Sequence, residues 1–208
     1  MFEGFGATLP LPTQIVLELS RIVRGYFLVG IGAVVGAVVG LRWWYGTAAG
    51  RLAIDSFLLR TPVFGMLIRK VAVAKFTRTL GTLISSGVGI LDGLDITART
   101  AGNKVVELAV QRTRASIAEG KTIAEPLKAS GVFPPMVVQM IAVGEQTGAL
   151  DAMLGKIADF YDEEVDTAVT NLTALLEPML MVFLGIVIGG VVIAMYLPIF
   201  KLVTVVGK

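Results

Sequence analysis

The sequence predicts an all-α membrane protein in which two transmembrane helices flank one cytoplasmic helical-bundle domain. Three observations lead to this fold class. Hydrophobic residues make up 55% of the 208 residues and charged residues only 16%, whereas soluble domains carry about 25% charge. Two long runs contain no charged residue. The segment between these runs has apolar residues at helical spacing and lacks the sustained alternation that is typical of strands.

The first apolar run covers residues 25–41 and is followed by the aromatic residues Trp43, Trp44 and Tyr45. A helix needs about 20 apolar residues to cross a bilayer, and at least about 17. Trp and Tyr favour the membrane–water interface, and arginines at the ends of a span can extend their charge to the headgroups. Residues 25–45 are therefore predicted to form the first transmembrane helix.

The second run covers residues 178–200 and is long enough to cross the bilayer with some tilt. Residues 42–78, which follow the first span, contain seven basic residues against the single acid Asp55. Because positively charged loops stay in the cytoplasm, we expect residues 46–177 to be cytoplasmic. The segment 1–24 and the tail 201–208 are then expected to be extracytoplasmic.

Six helices are predicted in the first part of the central segment, at residues 48–60, 66–86, 92–101, 104–119, 122–129 and 135–147. Gly87 and Gly148 are placed to end helices as C-terminal caps. Thr122 and Glu125 have the spacing of a capping box at the start of the fifth helix. Pro135 suits the first turn of the sixth.

A last helix is predicted to start near residue 149 and to continue to Pro178, where the second span begins. Its apolar residues recur at intervals of three and four and form one stripe, which comprises Leu150, Met153, Leu154, Ile157, Phe160 and Tyr161. A proline removes one helical hydrogen bond, so Pro178 is expected to kink the junction. Residues 145–177 hold eight acids and one base, Lys156, which predicts either a solvated face or a site for a basic partner.

Glycines recur at intervals of four in both spans. This spacing places small residues on one helix face and lets another membrane helix approach closely. We therefore expect helix packing in the membrane at Gly32, Gly36, Gly40, Gly185 and Gly189. The partner helix could belong to the same chain, to a second copy or to another protein.

The composition disfavours an enzyme, because the chain has no Cys and no His. Thiol nucleophiles, imidazole bases and the usual zinc ligands are therefore absent. We predict no catalytic residue, no metal site and no cofactor. A small membrane transporter is the alternative from another functional class. It is disfavoured because the spans contain no ionisable residue, which a proton or ion path would require.

Several motifs resemble the inner-membrane platform proteins of type IV pilus and type II secretion machines, the PilC and GspF family. They occur in the order of that family and cover nearly the whole chain. The matching segments are FGATLPLPT (5–13), RTLGTLISSGV (78–88), FPPMVVQMI (133–141), GEQTG (144–148), LGKIADFYDEE (154–164), LLEP (175–178) and MYLPIF (195–200). The last two are similar to the pilus branch in particular. Family members usually carry an earlier copy of the cytoplasmic domain and another span, so this chain resembles their C-terminal half.

The resemblance implies a scaffold, without enzymatic activity, in the bacterial inner membrane. Such a platform couples a cytoplasmic hexameric pilus assembly ATPase to the insertion of pilin subunits at the base of the fibre. Residues 46–177 would then be a type II secretion F-like domain. The implied partners are the ATPase, pilin subunits, other inner-membrane assembly proteins, the lipid bilayer and further copies of the chain, but no nucleic acid. A type II secretion platform is the alternative within the family.

Two further groups of residues are expected to have roles. The first is expected to fix structural turns and consists of Gly87, Phe133, Pro134, Pro135, Gly144, Glu145, Gly148, Pro178 and Pro198. The second is a basic set expected to contact the motor or lipid headgroups, and it consists of Arg69, Lys70, Lys75 and Arg78.

Overall fold

The computed structural model describes residues 11–62 and 64–206, and every regular element in these residues is an α-helix. The helices are α1 (Leu11–Tyr45), α2 (Ala48–Arg60), α3 (Phe64–Ser85), α4 (Ile90–Thr100), α5 (Lys104–Ala118), α6 (Ala124–Ala129), α7 (Pro135–Thr147) and α8 (Leu150–Val206). The prediction of an all-helical chain is confirmed. The chain divides into two compact units, which we call the two-helix unit (Met1–Arg42 with Leu172–Lys208) and the bundle unit (Trp43–Asn171).

The two-helix unit contains most of α1 and the second part of α8. By length and composition, α1 and α8 could each cross a membrane, with mean hydropathy of 2.1 and 2.6 in their most apolar windows. Only 0% and 6% of these windows is buried, so neither resembles the core helix of a soluble protein. Near the start of α1, the Thr13 hydroxyl donates a hydrogen bond of 2.7 Å to the carbonyl oxygen of Ala194 in α8.

The ends of both long helices differ from the prediction. Helix α1 begins at Leu11 and not near residue 25, while residues 1–10 and 207–208 lie outside the described part of the chain. Helix α8 continues through Pro178 and Pro198 to Val206, so neither proline ends the helix, and the kink expected at Pro178 stays a prediction. A proline removes one hydrogen bond from a helix. In a long apolar segment the helix still satisfies all the other backbone groups, which a turn exposed to lipid would not.

The bundle unit begins with helices that match their predicted positions closely. The Thr47 hydroxyl caps α2 by accepting a hydrogen bond from the Gly50 amide at 3.1 Å. Helix α2 ends before Thr61, as expected for a residue that precedes a proline. The Asn103 side chain caps α5 by accepting hydrogen bonds from the Val105 and Val106 amides, at 2.9 and 3.3 Å.

Glycines end helices at the predicted positions. Gly87 follows α3 with φ of 82°, and Gly148 follows α7 with φ of 74°. Glycine adopts this left-handed conformation without the steric penalty that a Cβ atom brings. The predicted caps at both residues are confirmed, and they set the directions in which the chain leaves α3 and α7.

The predicted capping box of α6 is wrong. Helix α6 begins at Ala124, and its N-cap residue Ile123 makes no hydrogen bond through its side chain. Instead, the Glu145 carboxylate on α7 accepts a hydrogen bond from the Ile123 amide, with oxygen–nitrogen distances of 2.9 and 3.0 Å. A carboxylate from another helix therefore replaces the local cap, because it reaches the free amide and carries a full negative charge.

The hydrophobic core of the bundle unit lies between α3, α4, α5, α6, α7 and the first part of α8. Its largest fully buried side chains include Phe76, Leu80, Leu94, Val110, Ile141 and Leu154. Of the predicted apolar stripe of α8, Leu154, Ile157 and Tyr161 are buried. Phe160, which belongs to the same stripe, is 46% exposed.

Candidate interaction surfaces

Four of the predicted turn residues hold α7 in place. Pro134 is the N-cap residue of α7 and Pro135 is its first residue. The Phe133 ring lies 4.8 Å from the ring of Phe76 on α3, centroid to centroid, at 58°. Near the other end of α7, a Cβ atom added to Gly144 would lie 3.0 Å from Leu150 Cα. Gly144 therefore permits close contact between the end of α7 and the start of α8.

A groove of about 520 Å³ lies beside the start of α7. Its walls come from α3, α6 and α7 and are mainly apolar. The charged side chains at its rim are Arg69, Lys128 and Glu125. The groove is thus a mixed surface with one excess positive charge, and Phe133, Pro134 and Pro135 form part of its lining.

The predicted basic set lies along α3, but its four members have different surroundings. The Lys70 ammonium pairs with Glu164 at 2.6 Å. The Arg78 guanidinium pairs with Asp159 at 2.7 Å and with Asp162 at 2.5 Å. The hydrogen bond to Asp162, and to a smaller extent the one to Asp159, raises the pKa of Arg78 above its ordinary value. Two of the four cations therefore have partners within the bundle unit.

Arg69 and Lys75 differ from this pair, since both are exposed and neither makes an ion pair with the residues that the structure describes. They are the members of the basic set that are available to a partner.

The acidic part of α8 contacts α3 of its own chain. Asp159, Asp162 and Glu164 provide the carboxylates that pair with Lys70 and Arg78. The two Arg78 pairs are substantially exposed, so solvent and salt screen them and each contributes less than about 1 kcal/mol, whereas the Lys70–Glu164 pair is half-buried. A solvated face or a basic partner was predicted for these acids, and the observed basic partners lie on α3 of the same chain. The available signal was the opposite charge of the two segments.

A buried carboxylate at Asp55 was missed in the sequence. It is 3% exposed, although α2 lies at the surface of the bundle unit. One oxygen accepts a hydrogen bond from the Tyr45 hydroxyl at 3.1 Å, and the other accepts one from the Lys104 backbone amide at 2.6 Å. Asp55 therefore ties the end of α1 and the start of α5 to α2. In the sequence, the available sign of a special role was that Asp55 is the single acid among seven basic residues in the segment 42–78.

Among the described residues, no atom lies close to the open side of the glycines in the two long apolar helices. A Cβ atom added at Gly32, Gly36, Gly40, Gly185 or Gly189 would meet no atom within 4 Å. Their role in helix packing stays a prediction. In the part of the chain that is described, no three or more Asp and Glu side chains group together as metal ligands would.

Comparison with known proteins gives a consistent family relationship. Residues 76–198 match the family described as type II secretion system (T2SS), protein F. The chain is 58% identical over 202 residues to a type IV pilus assembly protein PilC of Myxococcus xanthus, covering 97% of this chain and 48% of that protein. It is 49% identical over 204 residues to a protein of the same name from Thermus thermophilus, covering 98% and 50%.

A type II secretion system protein F of Pseudomonas aeruginosa is more distant. It is 34% identical over 207 residues, with 100% of this chain and 51% of that protein covered. The chain thus spans about half the length of the curated relatives that it matches.

Proposed function

Because the chain belongs to the type II secretion system protein F family, we propose that it forms part of an inner-membrane platform for type IV pilus assembly. In this role it couples a cytoplasmic hexameric ATPase to the insertion of pilin subunits at the base of the fibre. The observation that carries the proposal is the higher identity to proteins named for pilus assembly, 58% and 49%, than to a secretion protein F, 34%. A type II secretion platform is the second candidate, which the family description favours.

The proposed topology places the bundle unit in the cytoplasm and both ends of the chain on the opposite side of the membrane. Seven basic residues lie between positions 42 and 78. The single acid there, Asp55, is buried, so this part of the surface carries no exposed carboxylate of its own. The hydrogen bond between Thr13 and Ala194 supports a topology with both ends of the chain on the same side of the membrane, because it joins the beginning of α1 to the later part of α8.

The proposal is tested by measuring whether the full chain, reconstituted in lipid nanodiscs, binds a type IV pilus assembly ATPase. We expect saturable binding that changes with nucleotide. Light scattering measures this binding. Replacing Lys75 by Glu should weaken binding several-fold, because an exposed cation becomes an anion. Lys156→Glu is the matched control, since Lys156 is also exposed and makes no ion pair in the described residues.

Two results would contradict parts of this proposal. If the folded chain binds no pilus ATPase, a direct docking role for this half is wrong. If it instead binds a type II secretion ATPase with higher affinity, the second candidate is favoured.

We also propose that the membrane glycines pack against a helix of a second copy of the chain. Gly36→Leu should weaken association in the membrane about tenfold, because overpacking a close contact costs about 1 to 3 kcal/mol. Val38→Leu is the control, since position 38 lies on the opposite side of α1 and is also exposed. The measurement is energy transfer between labelled chains in vesicles. Equal association of the two variants and the wild type would contradict the proposal.

A further inference from the structure

Helix α2 has an unusual orientation for a surface helix. Its carboxylate at Asp55 faces the interior, whereas Leu52 is 39% exposed and Phe57 is 69% exposed. Ala49 and Ala53 are exposed as well, and the spacing of these four residues places them on one helix face. A helix at a water-facing surface normally has its polar side outward. This exposed apolar face therefore indicates that something other than water covers α2.

The apolar surface continues into the next helix. At the start of α3, Phe64 is 60% exposed and Met66 is 63% exposed. Between these two residues, a Cβ atom on Gly65 would lie 2.4 Å from the Leu59 carbonyl oxygen, so the two helix ends meet closely. We call the surface formed by Leu52, Phe57, Phe64 and Met66 the α2–α3 corner.

The charges around the α2–α3 corner are positive. Arg60 is exposed at the end of α2 and Arg69 is exposed on the second turn of α3, and neither has an acidic partner in the described residues. The acids near α2 are occupied: Asp55 binds Tyr45 and the Lys104 amide, and Glu107 on α5 pairs with Lys104 at 2.5 Å. The corner thus combines exposed aromatic and aliphatic side chains with unpaired arginines.

We propose that the α2–α3 corner lies in the headgroup region of an anionic lipid bilayer. Apolar side chains flanked by basic ones are the features of segments that bind at the membrane interface. The connection in the chain also favours lipid over a protein partner. Helix α2 starts three residues after Tyr45, and Trp43 and Trp44, which also belong to the bundle unit, are 79% and 50% exposed. Both types of residue, Trp and Tyr, are enriched at membrane surfaces.

The experiment uses the full chain in nanodiscs with single fluorescent labels. Since the chain has no Cys, Leu52→Cys and Met66→Cys each provide one labelling site and leave Phe57 and Phe64 in place. Lipids with brominated acyl chains quench a label that lies among them. We expect strong quenching at positions 52 and 66 and an emission shift to shorter wavelength. A label at Ser85→Cys, exposed at the other end of α3 and about 30 Å along that helix, should be quenched several-fold less.

The charge requirement is tested with lipid composition. Adding phosphatidylglycerol to phosphatidylcholine nanodiscs should increase quenching at position 52. Arg60→Gln should reduce this increase in quenching about fivefold, because it removes one basic residue near an anionic surface. Lys156→Gln is the control and should leave the increase unchanged. Circular dichroism of each variant checks that the helices are intact.

Two results would overturn the proposal. The first is quenching at positions 52 and 66 that is as weak as at Ser85. The second is unquenched labels together with disulfide cross-links between two Leu52→Cys chains, which would assign the corner to a second copy. Neither measurement involves pilus assembly, so the proposed platform function can fail or succeed independently.

Discussion

Replacing Asp55 by alanine is expected to lower the free energy of unfolding of the bundle unit by about 3 kcal/mol. The substitution removes a buried carboxylate and leaves the Tyr45 hydroxyl and the Lys104 amide without their acceptor. A hydrogen bond to a charged group contributes about 1.5 to 3 kcal/mol, and an unsatisfied buried partner adds a desolvation penalty. Asp55→Asn should cost about half as much, because its amide oxygen can still accept one of the two hydrogen bonds.

The measurement is denaturant unfolding of the full chain in detergent, combined with hydrogen exchange at the Lys104 amide. Asp55→Ala should increase exchange at this amide, because its acceptor is lost. Asp166→Ala is the control, since Asp166 is exposed and its removal should change stability by less than about 0.5 kcal/mol. If Asp55→Ala is as stable as this control, the three-way connection between α1, α2 and α5 does not stabilise the bundle.

The parts of the fold that could be predicted are those encoded by neighbouring residues. Helix α2 was predicted at its observed bounds, because the X-Pro step at Thr61 marks its end. Helix α7 was predicted equally well, because Pro135 suits a first turn and Gly148 adopts the left-handed conformation after its end. Such signals act within a few residues, so they do not depend on how the chain packs.

The features that could not be predicted depend on residues far apart in the chain. The start of α6 is stabilised by Glu145, which lies 22 positions after Ile123, so a local motif, Thr122 with Glu125, gave the wrong cap. The bounds of α8 also depend on its surroundings. A proline weakens a helix locally, yet the need to satisfy every backbone group favours a continued helix through Pro178.

The candidate surfaces illustrate the same distinction. Composition located the basic residues of α3 correctly, but it could not reveal that Lys70 and Arg78 are paired with acids more than 80 positions away. It also gave no reason to expect an exposed apolar face on α2, since the helical pattern of that segment does not tell which side is buried. The buried side is fixed by Asp55, through contacts with Tyr45 and Lys104.

Replacing Phe133 by alanine is expected to give the largest loss of stability among the predicted turn residues, about 3 to 5 kcal/mol. The ring is 5% exposed and packs against Phe76, which is fully buried. The substitution leaves a cavity between α3 and the start of α7, and it removes an aromatic pair that contributes about 0.5 to 1.5 kcal/mol beyond its buried area. Phe133→Leu fills most of the space and should cost less than about 2 kcal/mol.

Phe160→Ala provides the matched control for this prediction, because Phe160 has the same side chain but is 46% exposed. Its loss should lower the free energy of unfolding by less than about 1 kcal/mol. Denaturant midpoints of the three variants, measured on the full chain in one detergent, would give the comparison. The order of stability should be Phe160→Ala, then Phe133→Leu, then Phe133→Ala. If Phe133→Ala were as stable as Phe160→Ala, the Phe-Pro-Pro segment would not anchor α7 to the core, and its resemblance to the family motif would have to reflect contact with a partner.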